Sequence, residues 1–101
     1  MKTLRPGHCY ELENFEPTKS GQILQFIEKE KDAAGNFVTV NNGTTNEEVL
    51  KMLIDRLKSL GAKLPSRENS IAITKCEEAL MWLEKRTADR KARSVEGTPQ
   101  P

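Results

Sequence analysis

The residues best suited to chemistry lie near the end of the longest helical pattern in the sequence. Arg86, Arg90 and Arg93 recur at spacings of four and three residues, which places three guanidinium groups along one side of a helix. Trp82 precedes Arg86 by four residues, so an indole and a guanidinium could stack or share a ligand. Arginine suits bidentate recognition of phosphate. The spacing indicates an anion site, or cations that balance the negative end of the helix dipole.

A second polar group lies at the other end of the same helical segment. Asn69 falls in its first turn, 17 residues before Arg86, a separation of roughly 25 Å along a helix axis. No small molecule would bridge that distance within one chain. Antiparallel pairing of two copies would bring Asn69 of one chain near Arg86 and Arg90 of the other. We therefore expect such a site to lie at a two-fold interface and to occur in symmetric pairs.

Groups of residues typical of enzymes are absent from the sequence. The single histidine, His8, has no nucleophile and acid partner in a recognisable pattern, and no glycine-rich phosphate loop occurs. Glu77 and Glu78 are adjacent and would point about 100° apart on a helix. The two cysteines, Cys9 and Cys76, lack metal-binding or redox spacing. We predict no catalytic residues, no metal and no cofactor.

Composition narrows the class of protein. The 101 residues are 36% hydrophobic and 31% charged, with 16 basic against 15 acidic residues and a net charge of +1. A binder of nucleic-acid polymers or membrane surfaces would normally be strongly basic. No apolar run has the length of a membrane span, and the first residues lack the apolar region of a secretion signal. We expect a cytosolic protein with ordinary thiols.

Two helices are predicted for residues 44–93. Thr45 and Glu48 fit a capping box, and Gly61 is the predicted C-terminal stop of the first helix. The second helix runs from Ser66 to about Arg93, and the short link between them predicts an antiparallel hairpin. One apolar stripe would face that hairpin: Ala72, Ile73, Cys76, Ala79, Leu80 and Leu83. Ile71 and Trp82 lie on roughly the opposite side, with Met81 between the two groups, and this second apolar face predicts a partner chain or a ligand.

Residues 1–43 contain short runs typical of strands. His8–Phe15, Gln22–Glu30 and Phe37–Val40 are separated by turn sequences, which favours an antiparallel meander. A helix over Ile23–Lys31 is the alternative. The expected fold is therefore α+β: one compact domain with a β-rich part (1–43), a helical hairpin (44–93) and a flexible tail (94–101).

These residues also carry a family resemblance. TTNEEVLKMLIDRL, from Thr44, and the later segment KLPSRENSIAITKCEEALMWLEKRTADRKARSVEG resemble the helical-hairpin domain of phage sponge proteins, namely the first Thoeris anti-defence family and the related anti-CBASS family. The runs HCYELENFE and QILQFIEKE resemble the Thoeris branch. The resemblance spans about residues 8–97.

The resemblance implies a non-catalytic protein that sequesters cyclic nucleotide immune signals in the cytoplasm of the infected host. The implied ligands are glycocyclic ADP-ribose of Thoeris and cyclic di- and trinucleotides of CBASS. It implies homodimers, and hexamers built from dimers, with ligand at protomer interfaces contacted by Asn69, Arg86 and Arg90. A second cyclic-oligonucleotide site would use Arg67 and Thr74.

The family's base-stacking aromatic has no counterpart in residues 58–61. The candidates for that role are the aromatic residues Phe37, Trp82 and Tyr10. Other functions remain compatible with the residues alone: a small nucleic-acid-binding module, an adaptor that binds a host protein, or a hydrolase of the signal.

Overall fold

The fold joins a strand-rich first half to a helical second half. A computed structural model describes residues 1–93, and residues 94–101, the predicted tail, lie outside the described residues. Contacts group the chain into two compact units, Met1–Thr45 and a second unit that begins at Asn46. Five antiparallel strands precede two helices, so the predicted α+β class is confirmed.

The first unit contains two small antiparallel sheets. One has three strands in the order β1-β2-β3, and the other pairs β4 with β5. The bounds are β1 (Lys2–Arg5), β2 (Cys9–Leu12), β3 (Gln22–Gln25), β4 (Glu28–Lys31) and β5 (Phe37–Asn41). Strand β1 was not predicted, because its polar sequence KTLR lacks an apolar alternation and takes its extended form from pairing with β2.

The single run predicted over Gln22–Glu30 is two strands, and the helical alternative is wrong. The chain leaves the first sheet at Phe26, whose N–H donates to the His8 carbonyl at 2.7 Å. The N–H of Ile27 donates to the Thr44 carbonyl at 2.9 Å. These backbone donors are satisfied by residues distant in sequence, so the i to i−4 bonds of a helix do not form.

Close packing around Gly43 fixes the end of this unit. The N–H of Thr44 donates to the Gln25 carbonyl at 2.9 Å, which draws the backbone of Gly43 against residues 25 and 26. A Cβ at Gly43 would lie 2.6 Å from the carbonyl carbon of Phe26 and closer still to the Gln25 oxygen. Only glycine fits this approach without a backbone shift.

A buried carboxylate connects the two sheets. Glu28, at the start of β4, is 3% exposed. Its Oε2 accepts from Arg5 Nε at 2.9 Å and Nη2 at 2.6 Å, and its Oε1 accepts from Asn41 Nδ2 at 3.1 Å. Arg5 belongs to β1 and Asn41 to β5. The Arg5 and Asn41 hydrogen bonds hold the pKa of Glu28 below its usual value, and the same contact raises the pKa of Arg5.

The second unit is a helical hairpin, α1 (Asn46–Lys63) and α2 (Arg67–Ala92). The α2 side chains that are at least partly buried recur mostly in steps of three and four: Asn69, Ala72, Ile73, Cys76, Leu80, Leu83, Thr87 and Arg90. On α1 the corresponding residues are Glu47, Val49, Leu50, Ile54, Leu57 and Gly61. This period is that of a coiled-coil seam. We call these two rows the seam.

The start of α2 agrees with the prediction from sequence, whereas the end of α1 does not. Ser66 is the N-cap of α2, and its Oγ accepts from the Asn69 N–H at 3.1 Å, which confirms the predicted start. The predicted stop at Gly61 is wrong, because α1 continues to Lys63. Gly61 does not have the positive φ of a helix-ending glycine.

The hairpin leaves much apolar surface uncovered. Within residues 1–93, Ile54 is the most buried hydrophobic residue, and it is 9% exposed. Ile71, Met81 and Trp82 on α2 are 46, 57 and 59% exposed. The second apolar face that the sequence predicted is therefore present and open in this single chain.

Candidate ligand site on the second helix

Helix α2 carries all five predicted site residues. Its hydrogen-bonded ladder begins at Arg67 and runs through Ala92, so Asn69 and Arg86 stand about 25 Å apart along one continuous axis. The structure of one chain does not bring these two residues together. They lie near opposite ends of helix α2.

Asn69 occupies the N-terminal end of the seam. Its side chain is partly buried and lies seven residues before Cys76, on the same helical face. Its backbone N–H is bound by the Ser66 hydroxyl, which fixes the first turn of the helix. The amide side chain is thus carried on a capped and ordered turn.

Arg86 occupies an exposed cleft with Trp82. This cleft, which we call the Trp82 cleft, has a volume of about 230 Å³ and is lined by Trp82, Lys85, Arg86, Asp89 and Arg93. Lys85 Nζ lies 2.9 Å from Asp89 Oδ2, so this carboxylate already has a cation. Among the lining residues that the structure describes, cations outnumber carboxylates, which favours an anionic ligand.

Arg90 stands in different surroundings from Arg86. It is 7% exposed and it is engaged in an interaction within the chain. Arg90 follows Leu83 by seven residues and so continues the seam, whereas Arg86 lies about 40° around the helix from it. The sequence spacing placed both arginines on one side. Only Arg90 falls in register with the seam residues, and this periodicity distinguishes it from Arg86.

Arg67 and Thr74, the predicted second site, share one exposed face of α2. They are seven residues apart, about two turns and roughly 10 Å along the axis. The Thr74 hydroxyl donates to the Ser70 carbonyl at 3.2 Å. Its oxygen can still accept a hydrogen bond from a ligand.

The three candidate aromatics differ in their surroundings. Tyr10 packs edge-to-face against Phe26, with ring centroids 6.1 Å apart and planes at 82°. Phe37 is half-buried at the start of β5. Trp82 is 59% exposed and is the aromatic that shares a cleft with a predicted ligand-binding arginine.

A groove between the helices is a site that sequence reasoning missed. It has a volume of about 400 Å³ and is lined by Lys51, Ile54, Asp55, Lys58, Glu77, Leu80, Met81 and Glu84. Lys58 Nζ lies 3.4 Å from Glu77 Oε2 across the groove. Three carboxylates outnumber two lysines, so this groove does not favour an anion. The helical periodicity of a single segment does not predict this groove, because its walls come from two helices.

Among residues 1–93, no cluster of three or more histidine, cysteine, aspartate or glutamate side chains is arranged to hold a metal ion. No helix in that range combines the length and the apolar character needed to cross a membrane.

Comparison with known proteins gives two matches. Residues 25–88 match the family model described as Acb2/Tad1, hairpin domain. The chain is also 49% identical over 80 residues to Thoeris anti-defense 1 of Bacillus phage SBSphiJ7. That alignment covers 67% of this chain and 56% of the relative, so the chain spans little more than half of the relative's length. The family match contains Asn69 and Arg86 and ends two residues before Arg90.

Proposed function

Because the chain belongs to the family of the Acb2/Tad1 hairpin domain, we propose that it is a phage anti-defence protein that binds and sequesters cyclic nucleotide immune signals. The proposed ligands are glycocyclic ADP-ribose of Thoeris and the cyclic di- and trinucleotides of CBASS. The proposed place of action is the cytoplasm of the infected bacterium. The relative named Thoeris anti-defense 1 supports the anti-defence role.

The observation that carries this proposal is the family match over both helices, together with the charge of the Trp82 cleft. Cyclic nucleotide signals are compact polyanions that carry phosphates and purine rings. Arg86 is exposed and makes no ion pair within residues 1–93. Its guanidinium is available to donate a charged pair of hydrogen bonds to a phosphate.

The complete site requires a second copy of the chain. Asn69 and Arg86 are separated by about 25 Å on one helix, but an antiparallel pair of α2 helices would place Asn69 of one copy beside Arg86 and Arg90 of its partner. The exposed face that carries Ile71 supplies apolar surface for such a contact. We propose a homodimer with two symmetric ligand sites, and a hexamer made of three dimers.

Sequestration follows from binding without turnover. A ligand closed between two chains loses its access to water and to effector proteins, and its release slows because the chains must separate or open. The protein acts stoichiometrically, so its affinity must exceed that of the effector. The proposed second site at Arg67 and Thr74 would add capacity for cyclic oligonucleotides.

Calorimetry against a panel of these signals tests the proposal. We expect tight binding of at least one cyclic nucleotide, with one ligand per chain at the interfacial site. Heating the complex should then release the ligand intact, as judged by mass spectrometry. A ligand released with an altered mass would identify an enzyme, and no binding across the panel would contradict the proposed function.

A further inference from the structure

Trp82 is the single tryptophan of the chain, and it lies in the open at 59% exposure. An exposed indole is an uncommon use of so large an apolar surface, because burying it would contribute substantially to folding. We propose that Trp82 is the stacking platform for a purine base of the bound signal. This inference rests on the proposed function and adds the residue that recognises the base.

The first support is the shared cleft. Trp82 and Arg86 are one helical turn apart on α2 and line the same cleft of about 230 Å³. A nucleotide placed along this cleft would therefore meet the indole of Trp82 and, one turn further along the helix, the guanidinium group of Arg86. That order matches the order of base and phosphate in a nucleotide.

The second support is the charge of the cleft wall. Asp89 is the one carboxylate among the lining residues within 1–93, and Lys85 lies 2.9 Å from it. The ion pair reduces repulsion between Asp89 and a phosphate, so Arg86 keeps its attraction for the anion. The inter-helix groove beside Met81 carries more carboxylates than cations and lacks both an aromatic ring and an arginine.

The third support is the placement of the other rings. Tyr10 packs against Phe26, and Phe37 is half-buried. Phe15 is 98% exposed, but its groove contains Glu11 and Glu13 and no arginine. Among residues 1–93, Trp82 alone joins an exposed aromatic face to an arginine in one cleft.

The indole also provides a direct measurement. Since the chain has one tryptophan, its emission reports on residue 82 alone. We expect an adenine-containing cyclic nucleotide to quench this emission and to shield the indole from acrylamide. Inorganic pyrophosphate, which has no base, should leave the acrylamide access unchanged.

Three variants separate stacking from other roles. Trp82→Leu keeps apolar bulk and removes the aromatic face, so we expect affinity to fall by roughly 5- to 150-fold, the range for one stacked base. Trp82→Phe keeps an aromatic ring and should retain most of the affinity. Met81→Leu is the matched control, since Met81 is the adjacent exposed residue and lines the other groove. It should bind like the parent protein.

The outcomes are distinct. Calorimetric binding without any change in tryptophan emission or acrylamide access would overturn the stacking role while leaving the proposed function intact. The stacking role would also fail if Trp82→Leu and Trp82→Phe lost affinity equally. If Trp82→Leu changes the assembly mass, the emission of the parent protein decides the matter. Absence of calorimetric binding by the parent protein would overturn both proposals.

Discussion

Arg86 and Arg90 are only four residues apart, yet one is exposed and the other is buried. Arg86 is exposed in the Trp82 cleft, whereas Arg90 is 7% exposed at the end of the seam. A guanidinium in the open contributes to ligand binding with little effect on folding. A buried one is part of the packing, since its stem covers apolar surface and its head group needs partners.

The two arginines are therefore expected to respond differently to truncation. Arg86→Ala should weaken binding of the cyclic nucleotide by about tenfold or more, the cost of a charged hydrogen bond. Its thermal stability should stay within about 0.5 kcal/mol of the parent. Arg90→Ala should weaken binding and also lower stability by about 1–3 kcal/mol. Calorimetry and thermal unfolding measure the two effects.

Arg86→Lys provides the control for charge. It keeps the positive charge and loses the paired donors, so its affinity should lie between those of Arg86→Ala and the parent. If Arg86→Ala and Arg90→Ala both retained full binding, the assignment of the anion site to this end of α2 would be wrong.

The lowered pKa of Glu28 predicts how the stability of the protein changes at acid pH. Its pKa is lowered by the hydrogen bonds from Arg5 and Asn41, so the folded state favours the carboxylate more than the unfolded chain does. The resulting stabilisation is fully present above the usual glutamate pKa of about 4.3. It is lost as the pH falls through the lower pKa of the folded state. Thermal unfolding of the β unit should therefore show a loss of stability below about pH 4.5.

Glu28→Gln tests the origin of that loss. The amide cannot ionise, so the variant should be less stable at pH 7 and should show a smaller difference between pH 7 and pH 3. Glu30→Gln is the matched control, because Glu30 is exposed and lies 3.8 Å from the same arginine. An unchanged pH dependence in Glu28→Gln would assign the acid response to other carboxylates.

At the level of elements, two glycines have opposite requirements. Gly61 lies inside α1, and a Cβ added there would meet nothing within 4 Å. Gly43 lies against the backbone of Gln25 and Phe26. The same substitution should therefore stabilise one unit and destabilise the other.

Gly61→Ala should raise the stability of the hairpin by roughly 0.5–1 kcal/mol, the difference between glycine and alanine in a helix. Gly43→Ala should lower the melting temperature of the β unit, because the backbone must move away from residue 26. Circular dichroism at helical and strand wavelengths follows the two units. A destabilised Gly61→Ala would show that residue 61 needs closer packing, for example against another chain.

Sequence patterns predicted the elements whose form depends on nearby residues and missed those that depend on distant segments. Periodicity predicted both helices, and the Ser66 cap is confirmed, because these features depend on residues within one or two turns. Strand β1 and the division of residues 22–30 were missed. Both depend on pairing with distant segments: β1 pairs with β2, and the N–H of Ile27 bonds to the Thr44 carbonyl.

At the scale of the whole molecule, the main expectation is association. Ile54 is the one buried hydrophobic residue within residues 1–93, while several large apolar side chains on the helices remain exposed. A chain with so small a core gains stability by covering these faces with another copy. We expect light scattering to give the mass of a dimer or hexamer, and the melting temperature to rise with protein concentration.

A pair of variants tests whether the second apolar face makes this contact. Ile71→Gln should lower the assembly mass and weaken ligand binding, since Asn69 and Arg86 would no longer meet across two chains. Glu84→Gln is the control, at an exposed position about 140° around the helix from Ile71, and it should keep both properties. A parent protein that is monomeric and still binds its signal would contradict the interfacial site.

The sequence by itself determined the local geometry of the candidate site. The rise of a helix per residue is set by its backbone hydrogen bonds, so the distance between Asn69 and Arg86 follows from the number of residues that separate them. The cap at Ser66 and the turn that joins Trp82 to Arg86 follow from the same short-range rules.

Only the tertiary structure decided that Arg90 is buried whereas Arg86, one turn before it, is exposed. It likewise decided that Glu28 would be buried beside Arg5, 23 residues away in sequence. The physical reason is that burial and charge pairing depend on the segment that packs opposite, and the local pattern of a helix or strand does not specify that segment.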